Sequence, residues 1–380
     1  ALVEQLQTGL RTRPEDVRGL DLLGLAYQQR ARETGDPSYY AKSGGVLQRA
    51  LRFAPRDLEA TSGLASLALS RHQFALALVL GRRAREVSPT TSRNYGVTGD
   101  ALLELGRYHE AFRSFDTMAR LKQGVSSYAR IAYARELLGH SNAARDALLL
   151  ARDAAADERE PLAWTETQLG KLELGRGRVD GAAIHLRSAL RTFPGYVYAL
   201  DALAQVEIAR GDARRATVLE RRAVETIPLP QFVGLYGDLL HVTGHERAAR
   251  LQYATEEVIR CLLRANGVRI DLETALFDVD HGIRLRASLA LARQAQRERP
   301  SIDGDDVLAW ALARNGRCGE ALHYSRLALR LGTQDAAKLF HRAAIEHCLG
   351  RDPRPWARRA AALNPHFSVL WTTTLRRLAS

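Results

Sequence analysis

An all-α solenoid built from antiparallel helix pairs is the fold this sequence predicts, and three observations predict it. A helix-turn-helix unit recurs along most of the chain at a period of about 34 residues. The composition is rich in alanine, leucine, arginine and glutamate, which favour helix, and only 7% aromatic. Pro14, Pro55, Pro89, Pro194, Pro228, Pro300 and Pro365 stand at corresponding points of their units, where a residue with no amide proton stops the second helix. A chain of 380 residues would outgrow a single core, which rarely extends past about 250–300 residues. An array escapes that limit, since each unit buries surface only against its neighbours.

The clearest unit runs from Ser92 to Val125. Tyr95, Gly99 and Leu102 mark one face of a first helix, Gly106 to Tyr108 make the turn, and Ala111, Phe115 and Met118 mark the facing side of a second. This pattern resembles the tetratricopeptide repeat (TPR), whose first helix carries a large residue, then leucine-glycine, then tyrosine, and whose second carries alanine, phenylalanine and a closing proline. Here Thr98 replaces the leucine and Gln123 takes the proline slot. The resemblance, to a bacterial TPR protein, covers almost the whole chain in about ten repeats. It implies a right-handed superhelical solenoid with a C-terminal capping helix, whose first helices line a concave groove with a general binding role.

In chain order, residues 2 to 13 are expected to be the second helix of an incomplete unit. The next unit shows Leu20, Leu23, Gly24 and Tyr27, overruns through Gln28 to Thr34, and turns at Gly35-Asp36-Pro37, an insertion of about seven residues against the family period. Regular units follow from Leu58, Ser92 and Val125, the last ending in an acidic, alanine-rich connector from Asp153 to Pro161. The period resumes with Leu169-Gly170 and again with Leu203-Ala204. A seventh unit opens at Val233 and Gly237, and its second helix is expected to run on to Ala265, where Asn266-Gly267 supplies a left-handed ending. The chain thus reads as a single solenoid over 1–380 with a soft boundary near 266, dividing 1–266 from the more degenerate repeats and cap of 267–380. The eighth unit has Leu276 in place of glycine. The ninth and tenth carry Leu308, Ala309 and Gly316, then Phe340, Ala344 and Gly350, with the last second helix shortened by Pro353 and Pro355. A final amphipathic helix with Val369, Leu370, Leu375 and Leu378 is expected to cover the last pair.

The formal net charge is +12, carried mostly by arginine on what should be solvated helix faces. No P-loop, G-x-S-x-G elbow, H-E-x-x-H pair or dinucleotide fingerprint is present, so no enzymatic activity and no cofactor are expected. The carboxylates of Asp278, Asp280, Asp303, Asp305 and Asp306, with Glu273 and His281, lack a calcium-loop glycine or paired histidines and are not expected to hold a metal. They remain a minor candidate site for a cation or a basic peptide. Cys318 and Cys348 lie near turns of adjacent units on one edge of the array. Their spacing leaves a disulfide open, with two free thiols the expected state. No apolar run reaches the roughly 20 residues that span a bilayer, so no membrane insertion is expected. A cytoplasmic protein and the mature portion of an exported one both fit.

The groove is the candidate site. The slot about one turn into each first helix, with its neighbours, supplies Arg93, Asp100, Arg130, Tyr133, Trp164, Lys171, Tyr198, Asp201, Asp238, Phe277 and Trp310. Tyrosine, tryptophan and arginine are favoured at binding hot spots, and at least two of Tyr133, Trp164, Tyr198, Phe277 and Trp310 are expected to show exposed ring faces there. The leading expectation is a non-catalytic scaffold that binds a peptide or protein segment. Binding of nucleic acid or an acidic partner through arginine-rich helix faces is the alternative, and nucleic acid is not the expected partner, because no aromatics interleave with the basic stripes.

Overall fold

The computed structural model describes residues 2–380. Among these, 22 helices and no strand are found. α1 (Leu2–Thr12) stands alone, and the first pairs are α2 and α3 (Val17–Thr34, Ser38–Phe53), α4 and α5 (Leu58–Ser70, Phe74–Val87) and α6 and α7 (Ser92–Glu104, Tyr108–Leu121). Next come α8 and α9 (Val125–Leu137, Ser141–Ala155), α10 and α11 (Arg159–Gly175, Val179–Thr192), α12 and α13 (Val197–Ala209, Ala213–Thr226) and α14 and α15 (Pro230–Val242, Glu246–Ala265). The array finishes with α16 and α17 (Asp271–Asp280, Leu285–Glu298), α18 and α19 (Ile302–Arg314, Cys318–Ala328), α20 and α21 (Ala336–Cys348, Arg354–Leu363) and the terminal α22 (Thr372–Ala379).

Proline and glycine punctuate the array. Each of the seven helices that precede the repeat prolines, from α1 before Pro14 to α21 before Pro365, ends two residues ahead of its proline. That is where the proline ring begins to restrict its neighbour. The turns inside the pairs use a left-handed residue, as at Gly106, Gly177 and Gly316, and His72 takes that conformation in the α4–α5 turn with φ 54°. First helices approach second helices where a side chain is missing. A Cβ on Gly24 would lie 2.5 Å from Leu47 Cδ2, on Gly170 2.6 Å from Leu186 Cγ, and on Gly237 2.5 Å from Tyr253 Cε1.

Three local expectations need correction. The connector from Asp153 to Pro161 is mostly helix: α9 runs through Ala155 and α10 starts at Arg159. Pro161 is accommodated because the first turn of a helix has no intrahelical partner for the missing amide. The closing helix begins only at Thr372, leaving Val369 and Leu370 outside it. The Asn364 side chain accepts from the His366 amide at 3.0 Å and Ser368 Oγ from the Leu370 amide at 3.2 Å, and such local bonds compete with helix. Cys318 and Cys348, expected as free thiols, form a disulfide across a Cα separation of 6.2 Å. The start of α19 and the end of α20 lie side by side, which brings the two within bridging reach.

By contacts the chain divides into two compact units, Ala1–Gln123 with Ile259–Ile270, and Gly124–Val258 with Asp271–Ser380. In the first, residues 267–269 lie along the α4–α5 turn: the Arg269 amide donates to the Arg71 carbonyl at 3.0 Å and Gln73 Nε2 to the Gly267 carbonyl at 2.9 Å. The second unit meets itself in the same manner. Thr333 Oγ1 donates to the Leu137 carbonyl at 2.5 Å, and Gly139 lies close against the Gly332 carbonyl. Its largest core cluster joins α16 to α22, with Phe340, Ile345, Leu312 and Leu375 fully buried.

Candidate functional site: an acidic cavity in the second unit

The first helices of the second unit share one inner face, and a cavity of about 680 Å³ opens on it. Lys171 of α10, Asp201 and Gln205 of α12, Asp238 of α14, Glu273 and Asp280 of α16, Asp303 and Asp306 of α18, and Lys338 and His341 of α20 line the wall. The segment from Asn364 to Trp371 supplies the remaining side through His366, Phe367, Val369 and Trp371. This stretch, non-helical for the reasons given above, crosses the inner face, with Val369 packed on the cluster around Leu239 and Ile208. The groove is therefore in part filled by the chain itself.

Seven carboxylates border the cavity, Asp335 included, against three fixed cations, Lys171, Arg299 and Lys338. Much of this charge is tied up in the wall. Lys338 Nζ bridges Asp335 at 2.7 Å and Asp303 at 2.8 Å. Burial pulls the Lys338 ammonium down, and the surrounding aspartates more than offset it, so its pKa lies well above the ordinary value. His341 donates from Nδ1 to Asp306 at 3.0 Å. Burial likewise disfavours its charge, and Asp306, Asp280 and Asp335 together outweigh that and raise its pKa. Arg299 donates to Glu273 at 2.9 Å.

Behind the wall, His281 donates from Nε2 to Asp238 at 2.7 Å and from Nδ1 to the Phe277 carbonyl at 2.7 Å. Two acceptors, one on each ring nitrogen, require the doubly protonated imidazolium. Burial opposes that charge, and the Asp238 hydrogen bond and charge raise the pKa regardless. Asp238 also accepts from the Tyr253 hydroxyl at 2.9 Å. Asp280 takes two indole donors, Trp310 Nε1 at 2.8 Å and Trp371 Nε1 at 3.0 Å. Its pKa is raised by burial, with His341 and the two indoles pulling the other way.

Asp201 of α12 meets a neutral donor and, beyond it, the charge of Lys171. Gln205 donates to it at 3.1 Å, and burial raises its pKa while Lys171 and Gln205 lower it. Glu220 of α13 sits behind it, fully buried, with neither carboxylate oxygen hydrogen-bonded. Burial, and then the neighbouring Asp201, push Glu220 up to about 9.

Of the residues singled out from the sequence, Lys171, Asp201 and Asp238 border this cavity. Arg93 and Asp100 belong to the first unit, where Arg93 pairs with Glu59 at 3.5 Å. Arg130 donates back to the Ser126 carbonyl at 3.0 Å. Tyr133 is 41% exposed and is not among the cavity residues. Trp164 packs on the Ala163, Ala189 and Tyr196 cluster, Tyr198 sets its ring edge to Phe232, and Phe277 stacks on His281 at 4.0 Å. Trp310, one of the five aromatics of which at least two were expected to show exposed ring faces, is only 3% exposed, held between His341 at 4.5 Å and Trp371 at 5.3 Å. Its slot faces the following repeat rather than open groove. Lys338, His341, Asp335 and the 364–371 segment were missed. The i, i+3 spacing of Asp303 with Asp306 and of Lys338 with His341, on first helices of consecutive units, was the available signal.

No known protein family matches the chain by sequence, and no curated protein does. Solved structures do match. The human IFIT1 dimer with m7Gppp-AAAA superposes with a TM-score of 0.55 at 16% identity, covering 87% of this chain and 76% of that one. Cut9 in the Cut9–Hcn1 hetero-tetramer of the APC/C gives 0.51 at 13% identity, covering 91% of this chain and 58% of that one. The fold is that of a TPR solenoid. YrrB, described as a TPR protein with an unusual peptide-binding site, matches 52% of this chain at 17% identity with a TM-score of 0.33. In the TPR array described here, the cavity is walled by the first helices from α10 to α20 and by the segment from Asn364 to Trp371. Among the described residues no group of three or more histidines, cysteines or carboxylates is placed to hold a metal ion, and no helix is long and apolar enough to cross a membrane.

Proposed function

We propose that the chain is a non-catalytic interaction scaffold that takes a peptide segment in the cavity of its second unit, and that the segment carries basic side chains. The observation that carries this reading is the imbalance of the wall, seven carboxylates against three fixed cations in a chain whose net charge is +12. A buried carboxylate held at a raised pKa gains most from a cation brought to it. Asp201 is such a group, and the arginine fork suits it geometrically. The general role agrees with the TPR fold, in which preformed side-chain anchors leave the ordering cost to the ligand.

Fluorescence anisotropy with a labelled arginine-rich peptide and a glutamate-rich peptide of equal length tests the proposal. The arginine-rich probe should bind, the glutamate-rich one should not, and Asp201→Asn should weaken binding by about five- to tenfold, the effect of one charge-assisted hydrogen bond. Equal binding of both probes, or binding indifferent to Asp201→Asn, would remove the cavity from consideration.

A further inference from the structure

The outer face of the second unit carries a different chemistry. Ile184, Val218 and Leu251 hold the same sixth position in α11, α13 and α15, the second helices of three successive repeats. They are 65%, 52% and 63% exposed. Val258, one face-repeat further along α15, is 59% exposed. Large aliphatic side chains thus stand in water at one slot that recurs from repeat to repeat.

Arginines surround these positions. Val218 has Arg214 and Arg215 before it and Arg221 and Arg222 after it, at i−4, i−3, i+3 and i+4, so all four share its face, and all are exposed. Arg187 follows Ile184 at i+3, Arg247 precedes Leu251 at i−4, and both are exposed. Carboxylates take up part of this field, Asp212 at the start of α13 lying 3.4 Å from Arg215. Glu220 is buried and held protonated at neutral pH. Asp180 faces Arg210, Glu246 faces His241 and Glu257 faces Arg284, while Glu225 lies 3.8 Å from Arg221.

We propose that this face docks on an anionic lipid surface. The arginines would meet lipid phosphates, and Ile184, Val218 and Leu251 would enter the boundary between headgroups and acyl chains, the arrangement that holds a protein on a bilayer without spanning it. The aliphatic side chains decide between this and nucleic acid, the other polyanion the charge could attract. Single strands bind by stacking bases on aromatic rings, and the exposed faces of α11, α13 and α15 offer none. Tyr253 of α15 turns inward to Asp238, and His185 of α11 is tied to Glu166 at 2.7 Å.

Co-sedimentation with vesicles of phosphatidylcholine alone, and of phosphatidylcholine mixed with phosphatidylglycerol, tests the assignment. The full chain should pellet with the anionic vesicles and not with the neutral ones, and added salt should weaken the association. The double variant Arg214→Glu with Arg222→Glu should lose at least about tenfold in partitioning. Ile184→Asp with Val218→Asp should lose binding as well, although it leaves every arginine in place. All four side chains are exposed, so melting curves should match the parent and exclude misfolding as the cause. No binding to the anionic vesicles, or binding that the aliphatic pair does not affect, would overturn the proposal. So would tighter binding of a single-stranded RNA oligonucleotide that displaces the vesicles and ignores the aliphatic substitutions.

Discussion

A Cβ placed on Gly170 would lie 2.6 Å from Leu186 Cγ and 3.2 Å from the Ala182 carbonyl, so the closeness of α10 and α11 rests on one absent side chain. Gly170→Leu should destabilise the protein by about 1–3 kcal/mol, the usual cost of overpacking, and a thermal melt reads it. Glu220 makes a second prediction at this scale. Its pKa rises from 4.5 to about 9 on folding. Between those values the folded state keeps a proton that the unfolded chain has released, so stability is complete below the lower value and falls as pH rises towards the upper one. The slope is at most about 1.4 kcal/mol per pH unit. Urea midpoints should fall from about pH 5 to about pH 9, and Glu220→Gln should flatten that fall. An unchanged slope in the variant would assign the effect to another group. The charged slots Lys171, Asp201 and Asp238 were readable because first-helix register is written in leucine-glycine and alanine spacing. The burial of Trp310 was not, since it depends on His341 and Trp371 arriving from elsewhere in the chain.

Single elements were the most legible part of the molecule. Period, proline and turn glycine each act within a few residues, and α1, α3, α5, α11, α13, α17 and α21 all stop two residues short of a proline. The overlong α2 and α15 were also readable, because Gly35 and Gly267 supply their left-handed endings. The segment between α21 and α22 was not. Val369 and Leu370 fit a helical stripe, and only the side-chain bonds of Asn364 and Ser368 turn the backbone away from helix. The segment is anchored by the Trp371 indole on Asp280. Trp371→Phe keeps an aromatic side chain but removes the N–H donor and part of the ring system, so it should cost at least about 1–2 kcal/mol. Amide exchange in residues 366–371 should rise more than in α10 to α13, and a uniform rise would mean that the indole bond is not what holds the segment.

For the whole molecule, long-range closure lay outside what periodicity can express. Thr333 meets Leu137 across 196 residues, and a repeat pattern specifies each neighbour without saying where the array meets itself. The pairing of Cys318 with Cys348 has a further consequence of this kind. A stack of repeats is held by nearest neighbours alone and comes apart from its ends, yet here the last complete pair is stapled to the one before it. Closing a loop of that length restrains the unfolded chain by about 3–4 kcal/mol. The end so fastened is the one that feeds Trp371 and Val369 to the cavity. Reductant should therefore raise exchange in α20 to α22 first and leave α8 to α13 almost unchanged. Thiol chemistry away from the cavity would then bear on how readily the chain's own tail gives way to an incoming guest, because the bridge braces the end of the array from which that tail departs.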